Sequence, residues 1–339
     1  MTDRRVVVLA LGGTISSSTA TAGGPVTPTL SAEDLLAAVP GLADLGVAIE
    51  TVDVRRVAGS AVHLDDVRTV AGLVRERVDA GVAGAVVTQG TDTIEETSYA
   101  LDLLHGADAP LVVTGAMRNP TLAGADGPAN LLAAVAVAAA PSTRGLGCLV
   151  TFADEIHAAS RVRKTHTTSP ATFVSANGGP LGYLVEGEPR VLNLPRRYVI
   201  GAPAGPLPRV AVMPATLGDD GALLGSIVDG VNGLVVAGFG VGHVPPPWVP
   251  ALAAAARRIP VVLASRTGAG AVLSATYDFP GSERDLQANA GLIPAGFLDA
   301  YKARILLMFT LAAGADRAAL VAAFSAAGGL GDPDAWPWG

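Results

Sequence analysis

The stretch Val6-Val7-Val8-Leu9-Ala10-Leu11-Gly12-Gly13-Thr14 places an unbroken apolar run directly before a glycine turn and a hydroxyl side chain. A short run of aliphatic residues without alternation predicts a strand that is buried on both faces of a sheet. Similar runs recur along the first half of the chain. They predict further strands at Ala48–Val54, Ala83–Thr88, Leu111–Thr114 and Cys148–Phe152.

Segments with a helical period separate these strands. In Leu64–Val78, apolar residues recur every three or four positions, and charged residues occupy the other face. Ile94–Leu104 and Ala129–Ala139 are predicted as helices in the same way. Ser31 with Asp34 resembles a capping box that opens a further helix. Alternating strands and helices predict right-handed crossovers, and therefore a mostly parallel, doubly wound α/β sheet.

The alternation stops over a stretch rich in proline and arginine and then resumes. We therefore predict a larger N-terminal α/β catalytic domain at 1–190, a linker at 191–208 and a smaller C-terminal α/β domain at 209–339. The predicted elements of the second domain are strands at Val210–Val212, Leu234–Ala237 and Val261–Ser265, and helices at Trp248–Arg257, Lys302–Ala312 and Arg317–Ala326. A length of 339 residues suits two domains.

Charge and cysteine content argue against several kinds of partner. The formal net charge of −7 is spread along the chain, without the basic run that nucleic-acid or membrane-surface binding favours. Cys148 is the single cysteine, and its apolar surroundings indicate a core residue. The apolar run after Arg4-Arg5 is too short for a signal peptide, so we expect a cytoplasmic protein with no nucleic-acid or membrane partner.

Two polar clusters directly follow predicted strands. The first is Gly12-Gly13-Thr14, and the second is Thr88-Gln89-Gly90-Thr91-Asp92-Thr93. Ligands of open α/β sheets bind at the carboxyl ends of the strands, and a threonine hydroxyl beside a carboxylate suits nucleophilic catalysis. A phosphate site is the competing interpretation. It is disfavoured because neither cluster has the glycine spacing of a phosphate-binding loop.

Several segments, taken in order along the chain, form a recognisable set. They are Leu11–Ile15, Thr88–Thr97, Thr114–Arg118, Ala125–Leu131, Lys164–Thr167, Gly179–Gly182 and Lys302–Ile305. Together they resemble the motifs of the bacterial-type L-asparaginases and span nearly the whole chain. The resemblance implies an amidohydrolase that needs no metal ion and no organic cofactor.

The resemblance also implies catalytic roles. Thr14 is expected to attack the side-chain amide carbon of the substrate, and water is expected to hydrolyse the resulting acyl-enzyme ester. Thr91, Asp92 and Lys164 are expected to form a second hydroxyl, carboxylate and lysine group near the amide. Which of the two threonines attacks first is left open by the sequence.

Substrate-binding residues follow from the same resemblance. Ser60 matches the serine that holds the substrate α-carboxylate, and Asp92 matches the carboxylate that faces the α-ammonium. Gly59 and Gly90 are expected to contribute to substrate binding from the same loops. Glu283 matches an acidic residue that a neighbouring subunit directs at the ammonium. An alignment shifted by one position would match a different residue. The site would then be completed only in an oligomer, which the family implies to be a homotetramer built as a dimer of dimers.

The chain departs from the family at two positions. Pro25 stands where many members carry a tyrosine in the loop that closes over the substrate, and His243 stands where asparagine is common. Ser17, Ser18 and Thr19 are alternative sources of a loop hydroxyl. Both departures bear on substrate affinity and turnover more than on the class of reaction.

The sequence therefore predicts hydrolysis of L-asparagine to L-aspartate and ammonia. A related ω-amidase or glutaminase is an alternative, because one extra methylene typically changes discrimination by only about 1–3 kcal/mol. A weakly catalytic amino-acid sensor is a second alternative, suggested by the missing loop tyrosine. A transfer-RNA amidotransferase subunit is disfavoured, because the chain lacks a basic stripe.

Overall fold

A computed structural model describes residues 4–19 and 26–338 of the chain, which form two compact units that divide between Gly201 and Ala202. This division falls inside the predicted linker, whose bounds stay a prediction. Both units are α/β, and the first has the larger sheet. The predicted fold class is thereby confirmed.

The first unit is organised around an eight-stranded sheet of order β12-β11-β8-β7-β6-β5-β1-β4. Its strands, with those of two small hairpins, are β1 (Arg5–Gly12), β2 (Ser17–Thr19), β3 (Val26–Pro28), β4 (Ala48–Val57), β5 (Gly84–Thr88), β6 (Leu111–Thr114), β7 (Cys148–Phe152), β8 (Glu155–Ala158), β9 (Arg163–Lys164), β10 (Phe173–Val174), β11 (Gly182–Val185) and β12 (Glu188–Val191). Its helices are α1 (Ala32–Ala37), α2 (Leu64–Asp79), α3 (Ile94–Leu104) and α4 (Gly127–Ala139).

The sheet is parallel from β4 to β7 and antiparallel from β7 to β12. The parallel part contains every strand predicted for the first domain, and Val6 to Leu9 in β1 are fully buried, as an uninterrupted apolar run requires. The apolar face of α2 is confirmed by the burial of Val67, Val70 and Val74. The capping box is confirmed too, because Ser31 and Asp34 each accept the other's backbone N–H.

The second unit has a four-stranded parallel sheet of order β13-β14-β15-β16. Its strands are β13 (Val210–Pro214), β14 (Gly233–Gly238), β15 (Val261–Ser265) and β16 (Ile293–Pro294), and its helices are α5 (Leu224–Asp229), α6 (Trp248–Ala256), α7 (Glu283–Ala288), α8 (Ala300–Ala312) and α9 (Arg317–Ala327). Trp248 is fully buried in the core of this unit, against α5 and the sheet. Among the helices that the structure describes, none has the length and apolarity needed to cross a bilayer.

A carboxylate is buried where α3 packs on β7 in the first unit. Asp102 accepts a hydrogen bond of 2.8 Å from the backbone N–H of Cys148. Nearby, the Arg197 guanidinium donates to the backbone carbonyl of His105. Burial raises the pKa of Asp102 to about 6, although the Cys148 hydrogen bond and the Arg197 charge act in the opposite direction. The folded chain thus binds the Asp102 proton more tightly than the unfolded chain does.

We expect Asp102→Asn to remove a pH-dependent part of the stability. Because the pKa is raised on folding, the contribution of Asp102 is fully present below about pH 4 and is lost as the pH rises through about 6. The free energy of unfolding of the wild type, relative to that of the variant, should therefore fall by up to roughly 3 kcal/mol across this window. Urea unfolding at a series of pH values measures it. Asp108→Asn, at an exposed position, is the control, and a constant difference between wild type and Asp102→Asn would contradict the expectation.

Candidate active site

The carboxyl ends of three adjacent parallel strands bring the predicted polar clusters together. Strand β1 lies between β4 and β5, so the loops that follow these strands emerge at the same edge of the sheet. The loop after β1 carries Gly13 and Thr14, the loop after β4 carries Gly59 and Ser60, and the loop after β5 carries Gln89 to Thr93. Residues far apart in sequence thus share one region of the first unit.

Glycines allow these loops to approach each other backbone to backbone. A Cβ atom on Gly13 would lie 2.1 Å from the Gly90 nitrogen, and one on Gly59 would lie 2.8 Å from the Gly90 oxygen. Gly13 also has φ 89° and ψ −172°, a conformation that is essentially restricted to glycine. Side chains at these positions would force the loops apart, so the glycines set the spacing of the site.

A chain of hydrogen bonds reinforces the contact between the loops after β4 and β5. The Gln89 side-chain amide donates to the Thr93 hydroxyl at 3.2 Å, and that hydroxyl donates to the Gly59 carbonyl at 2.9 Å. Ser60 follows Gly59 in a short 3-10 turn, and it is exposed. The hydrogen bonds therefore fix the backbone of the turn and leave Ser60 facing solvent.

Lys164 joins the hydroxyl and carboxylate groups that were predicted to act together. Its Nζ atom donates to the Thr91 hydroxyl oxygen at 2.9 Å and to Asp92 Oδ1 at 2.8 Å. Thr91 is buried, the Lys164 side chain is 15% exposed, and the Asp92 side chain is 63% exposed. One side of the cluster is therefore protected from water, while the carboxylate remains open to a ligand.

The loop after β1 is held by its own serine hydroxyls. Ser16 and Ser17 both donate to the Gly13 carbonyl, at 3.0 and 2.9 Å. Thr14 lies in the same 3-10 turn and is partly exposed. Within residues 4–19 and 26–338, no hydrogen bond joins the Thr14 hydroxyl to Thr91 or Lys164. The structure thus places Thr14 in the glycine-framed loop without a direct hydrogen bond to these two residues.

Of the three residues suggested to replace the missing loop tyrosine, the structure describes the side chain of Ser17. Ser17 is buried and its hydroxyl is used by the Gly13 carbonyl, so it stabilises the turn instead of facing a substrate. Pro25 and the side chains of Ser18 and Thr19 lie outside the described residues. No role for these three positions follows from the structure.

Glu283 lies in the second unit, at the start of α7, and is fully buried. Its carboxylate accepts the backbone N–H groups of Thr276 and Tyr277 and the Nε2 atom of His243, at 3.0, 2.8 and 3.0 Å. Burial alone would raise its pKa, but these hydrogen bonds and one from its own backbone N–H lower the pKa below the ordinary value. Glu283 is therefore held as a carboxylate. His243, which stands where asparagine is common in the family, is one of its hydrogen-bond partners.

The groups predicted to react were singled out from the sequence, but the residues that hold them in place were not. Gln89, Thr93 and Glu95 were recognised only as members of a motif, and Arg163 was not singled out. Their partners are up to 69 positions away in the chain, as in the hydrogen bond between Glu95 and the Lys164 backbone. The available signal was position in sequence: Thr93 closes the cluster Thr88–Thr93, and Glu95 follows it on the first turn of α3.

Comparison with known proteins identifies the family of the chain. The sequence profile described as "Asparaginase, N-terminal" matches residues 5–197. The profile described as "Glutaminase/Asparaginase C-terminal domain" matches residues 209–324. The two matches together account for most of the chain.

Individual relatives cover nearly the whole chain. The probable L-asparaginase of Deinococcus radiodurans is 36% identical over 322 residues, which cover 92% of this chain and 94% of that protein. The glutaminase-asparaginase of Pseudomonas fluorescens is 33% identical, with 90% and 86% covered. The crystal structure of the probable cytoplasmic L-asparaginase from Campylobacter jejuni has a TM-score of 0.84 at 30% identity and covers 95% of this chain and 99% of that one. The chain therefore belongs to the asparaginase/glutaminase family of amidohydrolases, in its bacterial L-asparaginase type.

Proposed function

We propose that this protein hydrolyses L-asparagine to L-aspartate and ammonia through a threonine nucleophile and an acyl-enzyme intermediate. The observation that carries the proposal is the contact of Lys164 Nζ with both Thr91 and Asp92, beside the glycine-framed loop of Thr14. Names of relatives support the substrate, since the Deinococcus radiodurans protein is named a probable L-asparaginase. A nucleophile, a group that handles protons and an open carboxylate are the parts that amide hydrolysis requires.

The proposed reaction has two steps. In the first, the Thr14 oxygen forms a bond to the side-chain amide carbon, the carbon–nitrogen bond breaks, and the hydroxyl proton leaves with ammonia. In the second, water attacks the ester carbon, which releases L-aspartate and restores the Thr14 hydroxyl. Thr91 and Lys164 are proposed to move the protons, because they are already hydrogen-bonded to each other.

Recognition of the amino-acid end of the substrate is proposed to use the exposed groups of the same region. Ser60 would donate its hydroxyl to the α-carboxylate, and Asp92 would accept from the α-ammonium. Gly59 and Gly90 are proposed to contribute through the position of their backbones, which the close approach of the two loops fixes. Glu283 of a second copy is proposed to add negative charge near the ammonium without touching it, because its carboxylate is buried and hydrogen-bonded within its own chain. The same hydrogen bonds hold it in its ionised form.

A direct assay tests the proposed function. Ammonia release from L-asparagine and L-glutamine is measured with the purified wild-type protein, and kcat/KM is compared for the two amides. A higher value for asparagine supports the proposal. A higher value for glutamine would favour the alternative that the Pseudomonas fluorescens glutaminase-asparaginase suggests. A folded protein that releases ammonia from neither amide would overturn both.

We expect Ser60→Ala to weaken substrate binding more than turnover. Loss of a hydrogen bond to a charged group should raise KM for asparagine by roughly 10- to 100-fold, with little change in kcat. Ser142→Ala is the matched control, since Ser142 is also an exposed serine within a short 3-10 turn of the first unit. Steady-state kinetics of the two variants distinguish the effects. An unchanged KM for Ser60→Ala would remove Ser60 from the binding site.

The proposal extends to assembly and location. We propose a homotetramer built as a dimer of dimers, because the expected role of Glu283 needs a second copy of the chain. Light scattering of the purified protein tests this, and a monomer with full activity would contradict it. We also propose a cytoplasmic location, supported by the relative from Campylobacter jejuni that is named cytoplasmic. Cell fractionation followed by detection of the protein tests the location.

A further inference from the structure

Lys164 reaches the cluster from outside the main sheet. It lies in β9, a strand of two residues that pairs with β10 in a separate two-stranded sheet. Thr91 and Asp92 lie instead in a 3-10 turn that leads directly into α3. A flexible lysine side chain on a short hairpin needs a tether if its ammonium is to stay on both partners.

Glu95 provides a direct link between the two elements. It lies on the first turn of α3, directly after the 3-10 turn that carries Thr91. Its Oε2 atom accepts the backbone N–H of Lys164 at 3.3 Å and lies 3.8 Å from Arg163 Nε. The Glu95 side chain is only 11% exposed, which limits the competition of water for these contacts.

We propose that Glu95 is a positioning residue for the proposed amide hydrolysis. It fastens β9 to the start of α3 and so holds Lys164 Nζ between Thr91 and Asp92. This inference rests on the proposed function for its catalytic consequence and on the contacts of Glu95 for its geometry. Glu95 does not touch the reacting atoms in this scheme, and it acts through the backbone of Lys164.

Charge supports the same role. Arg163 and Lys164 are adjacent cations, and a carboxylate beside Arg163 offsets one of them. The start of a helix favours negative charge, so a carboxylate is a favourable group at this position. The carboxylate can therefore serve the hydrogen bond to the backbone and the ion pair to the side chain together.

Three variants separate these two contributions. Glu95→Ala removes both contacts, Glu95→Gln retains an acceptor for the Lys164 N–H, and Arg163→Met removes only the cation. We expect Glu95→Ala to lower kcat for asparagine by roughly 10- to 100-fold with KM changed by less than about threefold. Glu95→Gln should recover most of the loss. Glu76→Ala, at an exposed helical glutamate of the same unit, is the control and should leave both constants unchanged.

Amide hydrogen exchange gives a readout that does not depend on activity. Glu95→Ala should speed exchange at Lys164 relative to wild type, and neither Glu95→Gln nor Glu76→Ala should do so to the same extent. If the wild type is inactive, the proposed function fails, but hydrogen exchange at Lys164 still tests whether Glu95 holds β9 in place. If the wild type is active, then normal kcat and normal Lys164 exchange in Glu95→Ala overturn the inference, as does an equal loss of kcat in the alanine and glutamine variants.

Discussion

Replacing Thr14 by alanine is expected to lower kcat for L-asparagine by roughly four orders of magnitude, because the variant lacks the hydroxyl that is proposed to form the ester. The effect should appear in kcat and in kcat/KM alike, since binding of the amino-acid end does not use this hydroxyl. Thr14→Ser keeps a hydroxyl at the same position and is expected to retain measurable turnover. Ammonia release by matched amounts of folded protein measures all three forms.

Mass spectrometry of acid-quenched reactions identifies the nucleophile independently. An aspartyl ester on the peptide that contains Thr14 supports the proposed order of events. An ester on the peptide that contains Thr91, together with turnover by Thr14→Ala, would assign the attack to Thr91. The second outcome would fit the hydrogen bond between Thr91 and Lys164, which would place a proton acceptor next to the attacking hydroxyl.

Gly90→Ala is expected to disable the site although alanine fits the local backbone. Gly90 has φ −66° and ψ 139°, which any residue can adopt. The added Cβ would lie 2.5 Å from the nitrogen of Gly59 and 2.6 Å from its Cα atom, so the loops after β4 and β5 must separate. We expect a loss of roughly 1–3 kcal/mol in the free energy of unfolding. We expect kcat/KM to fall by about 100-fold, because small displacements of catalytic groups are costly.

Gly72→Ala is the matched control for this prediction. It makes the same chemical change inside α2, where a Cβ atom would meet no other atom within 4 Å. Because glycine weakens a helix interior, the control should raise the free energy of unfolding by roughly 0.5–1 kcal/mol and leave kinetics unchanged. Chemical unfolding and steady-state kinetics on both variants test the pair. Near-normal activity of Gly90→Ala would show that the contact between the loops does not control the site.

The parallel half of the first sheet could be predicted from the sequence because its strands have a clear pattern. Leu111–Thr114 and Cys148–Phe152 were predicted with the bounds that the structure shows, and so was the helix Ile94–Leu104. Buried apolar strands and amphipathic helices carry their own signals, which depend on neighbours in sequence. The strands and helices predicted for the second unit are present for the same reason.

The antiparallel half was not predicted. Strands β8, β11 and β12 have four residues each, and their exposed and buried positions do not form a long alternation. Pairing there depends on close backbone approach, as at Gly182, where a Cβ atom would lie 1.9 Å from the Arg190 oxygen. Such approaches involve residues on different strands, and a single sequence does not display them.

The residues of the candidate site likewise fall into those that the sequence predicted and those that depend on the fold. The strand-end clusters were located because glycine, hydroxyl and carboxylate residues stand together in sequence at Gly12–Thr14 and Thr88–Thr93. The family resemblance added Lys164, whose distance to Asp92 only the fold can supply. The hydrogen bond from Thr93 to the Gly59 carbonyl and the tether at Glu95 depend on loop geometry, so the residue types alone could not predict them.

The position of β1 between β4 and β5 has a consequence for synthesis of the protein on the ribosome. This strand is made first, yet its partners β4 and β5 end at Val57 and Thr88. At about 5–20 residues per second, roughly 4–15 s pass between completion of β1 and completion of β5. During that time β1 lacks at least one of the two strands that cover its edges, and the apolar run Val6–Leu11 is exposed to other chains, which favours aggregation.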